Sequence, residues 1–405
     1  MPDPSTAVRR RLLATLVAST GLSRTAVIAA LTVVTIAAED ITGSKALAGI
    51  PAAAATIGLA LATRPTAALM VRFGRRPGIA LGQLTTAVGA MTAIAAVTME
   101  TYALLVAAMA VFGAGTAADR MSRYAAADIA EPSRKASAIA LVVWAGVIGS
   151  VGGPLLLEPT RWAAAAVGAE ELAGPFALAV LASVGAAIVI ALFLRPDPLD
   201  VAAEMAASAP QAVSPGADLR QRHVITAIVA LAVGQFVMVE IMTMTPVYMR
   251  EATDTLGTVG LVIGGHTFGM FALSPFTGWL ADRYGRLPVL LAGQALLVGS
   301  GILAATAGED QLVILLPALF LLGVGWNAGF VAGSALLMTG LHGAEAVRLQ
   351  GIADTITWTA GAAASFSSGF LLDAGGYPAV GLIGATLAVV PLVVTTRHRM
   401  VAGAI

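Results

Sequence analysis

The sequence predicts an all-α integral membrane protein of twelve transmembrane helices in two pseudo-symmetric six-helix bundles. Three observations carry this. The 405 residues are 58% hydrophobic and 11% charged, with mean hydropathy +0.87, whereas a soluble domain carries about 25% charged residues. Twelve windows reach the roughly 20 apolar residues that a spanning helix needs. One long polar interruption, RPDPLDVAAEMAASAPQAVSPGADLRQRH at 195–223, divides them six and six.

In order, the windows are 12–38, 46–70, 78–99, 102–127, 136–157, 172–194, 223–248, 257–280, 288–307, 311–339, 349–372 and 378–396. The first follows Arg9, Arg10 and Arg11 but continues well beyond a signal-peptide core, so it reads as a retained span. The interruption is rich in Pro, Ala and acid and reads as a flexible linker. The organisation expected is therefore a tail (1–11), an N-terminal bundle (12–194), a linker (195–222), a C-terminal bundle (223–397) and a second tail (398–405). With the N-terminus inside, sixteen Lys and Arg residues fall on inner segments and three (Lys45, Arg161, Arg250) on outer loops. That asymmetry places both termini in the cytoplasm of a multi-pass plasma (inner) membrane protein.

The chain repeats itself at an offset of about 211. SPFTGWLADRYGRLPVLLAG (274–293) has an altered copy, RPTAALMVRFGRRPGIALG (64–82): Gly285 matches Gly74, Arg283 matches Arg72 and Arg286 matches Arg75. Asp282 has become Val71 and Gly278 has become Ala67. Arg11 and Arg222 stand 211 apart, and GAG at 113–115 matches GVG at 323–325 at an offset of 210. Two like-oriented halves joined by an inner linker imply a substrate site where the halves meet.

Twelve windows, the six-and-six split and the GxLADRxGR turn resemble the major facilitator superfamily of secondary transporters. The resemblance implies that the acid and arginines of that turn latch the halves at the cytoplasmic face. Gly278, Asp282, Arg283, Gly285 and Arg286 keep the full form, while Arg72, Gly74 and Arg75 keep part of it. With Val71 unable to latch, Asp128 or Glu131 is the candidate replacement carboxylate. Gly149, Gly153 and Pro154 resemble the GxxxGP motif of drug/proton antiporters, although small residues and Pro are also ordinary packing devices in membrane helices. The arginine such antiporters place before the fourth-window glycines is Met109 here.

An ionisable group at the bilayer centre costs about 2.5–3.5 kcal/mol on insertion scales, so each is a functional candidate. Arg24 is thirteen residues past Arg11 and Gln235 thirteen past Arg222, which puts both near the midplane as a central substrate or proton site. The competing reading makes Arg24 an inner anchor. Asp119 and Arg123 share a face at i,i+4. Either they bolt the bundle as an internal ion pair, or Asp119 titrates and exchanges Arg24 or Arg64. His266 suits proton exchange or a fixed hydrogen bond to a neighbouring helix. Asn327 suits a ligand, Asp354 the inner gate, and Glu39, Asp40 and Glu240 solvated outer ends.

Zero net charge implies no nucleic-acid partner. The absence of Cys and the scatter of four His give no metal site, and no cofactor is expected. Without GxSxG, HExxH or GxxxxGK[ST], enzyme and ATP-driven pump are disfavoured. The expectation is a monomeric secondary active transporter in the lipid bilayer, exporting a small organic molecule or drug against protons. Uptake or facilitated passage of a metabolite is the alternative within transport, and a non-transporting sensor or scaffold the alternative outside it.

Overall fold

The computed structural model describes residues 4–44, 47, 49–208, 221–252, 256–307, 312–341 and 343–402. Among them, all regular structure is helical: α1 (Pro4–Thr42), α2 (Ile50–Phe73), α3 (Arg75–Thr98), α4 (Tyr102–Asp128), α5 (Lys135–Trp144), α6 (Gly146–Ala166), α7 (Ala173–Phe193), α8 (Pro198–Ser208), α9 (Arg222–Ala252), α10 (Leu256–Phe271), α11 (Ser274–Tyr284), α12 (Arg286–Thr306), α13 (Leu312–Leu337) and α14 (Gly343–Ala402). Nine described helices are long and apolar enough to cross a membrane. Ten of the twelve windows fall on those nine, because α14 carries the last two on either side of Gly376, whose φ of +67° interrupts the helix. The other two windows are each broken, into α5 and α6 at Ala145 and into α10 and α11 ahead of Ser274.

The chain forms two compact units. The first comprises residues 1–130, 145–213 and 342–355; the second comprises 131–144, 214–341 and 356–405. In the first unit, α4 is the central post, with α2 and α3 against it. Glycine makes this possible by removing side-chain bulk. A Cβ on Gly113 would fall 1.8 Å from the carbonyl oxygen of Ala55 on α2, and one on Gly115 would fall 2.3 Å from the backbone nitrogen of Thr86 on α3. The GAG triplet thus turns one glycine toward each neighbour. The core above it is small and apolar: Ala30, Val34, Ala93, Ala96, Leu105, Met109 and Phe112 are buried. Close backbone approach is the main way helices gain packing energy in lipid, where the hydrophobic effect between them is absent.

The second unit repeats the device around α13. Gly323 faces α10, where a Cβ would lie 2.2 Å from the carbonyl oxygen of His266, and Gly325 faces α12, 2.8 Å from that of Gly293. The offset-210 match is therefore a packing repeat.

The linker departs from its expected flexibility. Residues 198–208 form α8, which packs on α3 and α4. Asp197 ahead of it receives the backbone N–H of Leu199 at 2.9 Å, an N-terminal helix cap that satisfies an otherwise orphan donor. Residues 209–220 lie outside the described residues, as do the linker's remaining basic site at Arg220 and the outer-loop Lys45.

Candidate functional site

The two related turns share a backbone and differ in their acids. Gly74 has φ +96° and ψ 168°, and Gly285 has φ +98° and ψ 148°. This region is open to glycine at no steric cost, and it lets one helix stop and the next start within a residue.

At the complete turn, in the second unit, the Asp282 carboxylate accepts the backbone N–H groups of Ala136 at 3.1 Å and Ser137 at 2.8 Å. A negative charge thus sits on the positive N-terminal end of α5. Gly278 permits the approach, since a Cβ there would come within 2.5 Å of that of Ala140. Arg286 donates to the carbonyls of Pro132 at 2.7 Å and Ala335 at 3.0 Å and to the Thr339 hydroxyl at 2.7 Å. Arg283 is exposed and lies over the Trp279 and Tyr284 rings.

At the incomplete turn, in the first unit, two acids stand in for the missing one. Of Asp128 and Glu131, Asp128 meets Arg75, at 2.8 Å. The fully buried Arg75 also donates to Gln350 Oε1 at 2.6 Å. Asp197, which the sequence reading passed over, accepts the backbone N–H groups of Arg75 at 3.1 Å and Arg76 at 2.8 Å and so caps α3. An Asp-Pro pair at a helix start is the signal that could have found it. Arg72 is exposed over Phe73.

Deeper in the first unit lies a string of buried charge. Arg24, at the middle of α1, pairs with Asp119 of α4 at 3.4 Å; the Asp119 side chain is 2% exposed and its Oδ1 has no hydrogen-bond partner. The expected pair of Asp119 with Arg123 is not formed. Arg123 turns instead to Asp354 and to the Tyr124 hydroxyl at 2.9 Å, and that hydroxyl donates to Asp354 at 3.0 Å. Neighbouring helices offered each charge a better partner than its own helix did. Arg64 is exposed and takes no part. Arg120 shares the electrostatic field of this group.

The antiporter-like glycines bear on the same place. A Cβ on Gly149 would fall 2.4 Å from that of Arg24, and one on Gly153 would fall 2.5 Å from the Ile28 side chain. The small residues of α6 thereby press directly on the Arg24 turn of α1. The side chain of Pro154 lies outside the described residues.

In the second unit, Gln235 accepts a hydrogen bond from the Trp326 indole at 2.9 Å, and Trp326 stacks on Phe330 with centroids 4.6 Å apart. Asn327, expected to face a ligand, is fully engaged: it donates to the Met270 carbonyl at 2.7 Å and the Ser274 hydroxyl at 2.5 Å, and accepts from Thr277 at 2.6 Å. These bonds tie α10, α11 and α13 together. His266 Nδ1 lies 3.0 Å from the Leu319 carbonyl, while its buried Nε2 has no hydrogen-bond partner. Asp40 is exposed as expected, lining a cavity of about 220 Å³ with Glu100 and Glu170. Glu240 is the reverse of expectation. It is 0% exposed rather than solvated, because it stands on the face of α9 that also buries Val237 and Ile241.

Among the described residues, no cluster of His and carboxylates could hold a metal ion. The sequence profile of the Major Facilitator Superfamily matches residues 13–255 and 243–401. The chain is 36% identical over 381 residues to the uncharacterized MFS-type transporter YddS of Bacillus subtilis (strain 168), covering 92% of this chain and 87% of that one. It is 27% identical to the riboflavin transporter RfnT of Brucella anthropi, over 98% of both chains. Among solved structures, the human organic anion transporter MFSD10 shares the fold with a TM-score of 0.76 at 15% identity, over 95% of this chain and 99% of that one. The proton:xylose symporter XylE does so with a TM-score of 0.74 at 14% identity, over 97% and 96%.

Proposed function

Since the chain belongs to the Major Facilitator Superfamily, and is a multi-pass membrane transporter, we propose that it exports a small organic molecule in exchange for protons by alternating access. It works as a monomer in the plasma membrane with both termini cytoplasmic. The observation that carries the proton step is the Arg24–Asp119 contact. At 3.4 Å it is longer than the roughly 2.7–2.9 Å of a tight charge-assisted hydrogen bond, and one carboxylate oxygen is left over. An ionised Asp119 holds Arg24, and a protonated one releases it, so proton occupancy and the position of the α1 midpoint are linked. The membrane potential supplies about 2.3 kcal/mol per charge per 100 mV, enough to drive uphill movement when protonation occurs on one side only. The contact of Gly149 with Arg24 supports the antiporter reading, because it ties the motif to this pair. The capped α5 under Asp282 is the gate that opens in each cycle, and the Arg75–Asp128 contact is the more permanent one.

Purified protein in proteoliposomes with an imposed pH gradient and a pH-sensitive dye tests this, with riboflavin and a panel of cationic drugs as probes. Asp119→Asn should abolish proton-coupled movement and leave downhill exchange measurable. Arg24→Ala should impair both. Undiminished substrate-driven proton flux in Asp119→Asn would remove the residue from the mechanism. A second reading, uptake of a metabolite of the riboflavin type, is favoured by the end-to-end match to a riboflavin transporter. It predicts accumulation of riboflavin inside right-side-out vesicles, where export predicts accumulation in inverted ones.

A further inference from the structure

Most buried carboxylates in the described residues are answered by a donor or a cation: Asp119 by Arg24, Asp128 by Arg75, Asp354 by Arg123 and Tyr124. Glu240 is the exception. It lies on α9 eighteen residues past Arg222, about 27 Å along the helix, and it is 0% exposed with neither carboxylate oxygen making a hydrogen bond.

Among the described residues, the elements packed on α9 do not supply a counter-charge. On α10 the titratable group is His266, turned to the Leu319 carbonyl. On α12 it is Arg286, spent on Pro132, Ala335 and Thr339. Helix α13 has no charged residue. The second-unit part of α14 packs on α9 through Gly361 against Gln235 and Gly384 against Ile241. Its Tyr377 hydroxyl bonds Thr245 at 2.8 Å, and its Asp373 is an acid like Glu240 and offers no counter-charge. On α9 itself, Tyr248 donates to the Ala307 carbonyl at 2.9 Å and stacks on Tyr377 at 4.5 Å, and His223 lies at the far end.

A bare carboxylate without a partner in an apolar interior is too costly to keep, and such a group becomes neutral by taking up a proton. We propose that Glu240 is the proton-binding site of the second unit: a neutral carboxylic acid in this state, which exchanges its proton when that unit opens to water. The Thr245, Tyr248 and Tyr377 knot lies one to two turns farther along α9 and is the contact whose loosening would wet it. The place of this exchange in a transport cycle rests on the proton-coupled reading above, whereas the proton itself is measured without transport.

Infrared difference spectroscopy of the full chain in lipid nanodiscs at about pH 7 reads the protonated carbonyl directly. The expected result is a band that shifts in deuterated buffer, persists in Asp119→Asn and is missing from Glu240→Gln. A band unchanged in Glu240→Gln would overturn the proposal, and one that never shifts in deuterated buffer would overturn the exchange. Melting gives a second readout. Because the folded state holds a proton that the unfolded state gives up, this contribution is lost as pH rises. The melting temperature of the wild type should therefore fall relative to that of Glu240→Gln between about pH 5 and about pH 7; parallel courses would overturn it. Loss of proton-coupled flux in Asp119→Asn and loss of this band in Glu240→Gln are separate results, so either reading can fail alone.

Discussion

Arg24, Asp119, Arg123 and Asp354 are each held by a partner on another helix, and their energetics follow from that. Arg123 and Asp354 are both almost fully buried and share Tyr124 as a third member. Removing one member of a buried pair strands the other charge and costs about 3–5 kcal/mol, while replacing both with apolar groups of similar volume is often neutral. Arg123→Met and Asp354→Leu should each lower the melting temperature of the detergent-purified protein sharply, and the double variant should recover most of the loss. A double variant as unstable as the sum of the two would mean that Arg123 and Asp354 are not coupled. Their cost in a membrane is what marks Arg24, Asp119, Arg123 and Asp354 in the sequence. Partner choice is a different matter. The i,i+4 spacing of Asp119 and Arg123 is visible along one helix, but the competing claims of Arg24 and Asp354 belong to helices 95 and 231 residues away. Glu240 shows the same gap: distance from a window's end gives depth, and says nothing about which face of α9 a side chain occupies.

Among elements, the glycine turns were the most legible, because φ near +97° at both positions leaves a sequence mark that no neighbour can erase. Their surroundings separate them. A Cβ on Gly74 would meet Asp197 Oδ2 at 2.5 Å, whereas one on Gly285 would find only the Pro288 ring at 3.5 Å. Gly285→Ala should therefore show backbone strain alone, on the order of 1–3 kcal/mol, while Gly74→Ala should add displacement of the acid that caps α3. Placed in an Asp197→Ala background, Gly74→Ala should cost no more than Gly285→Ala does. Thermal melts of the four variants check this, and equal penalties for the two single glycine changes would show that the Asp197 cap yields freely. The linker helix α8 was hidden by its composition, since Pro, Ala and acid also suit a flexible chain; contact with α3 and α4 decides in favour of helix.

At the scale of the whole molecule, the six-and-six reading captures the repeat but not the grouping of segments. Residues 131–144 cluster with the second unit and residues 342–355 with the first, a reciprocal exchange that the linker position cannot reveal. Its physical basis is local. Asp282 grips the start of α5, and Arg75 and Arg123 grip Gln350 and Asp354. Orientation rests on a different kind of information, the distribution of Lys and Arg between the two sets of loops, which acts during insertion. With sixteen on one side and three on the other, the proposed sidedness makes a direct demand. Because the chain has no Cys, single cysteines report without background. One placed in 158–171 or 249–256 should react with an impermeant maleimide added to intact cells, and one placed in 198–218 should react only after permeabilisation. Arg161 sits in the first of these segments as a partner of Glu158 and Glu171. Labelling of 198–218 from outside would invert the topology, and with it the side assigned to the gate proposed at Asp282 and Arg75.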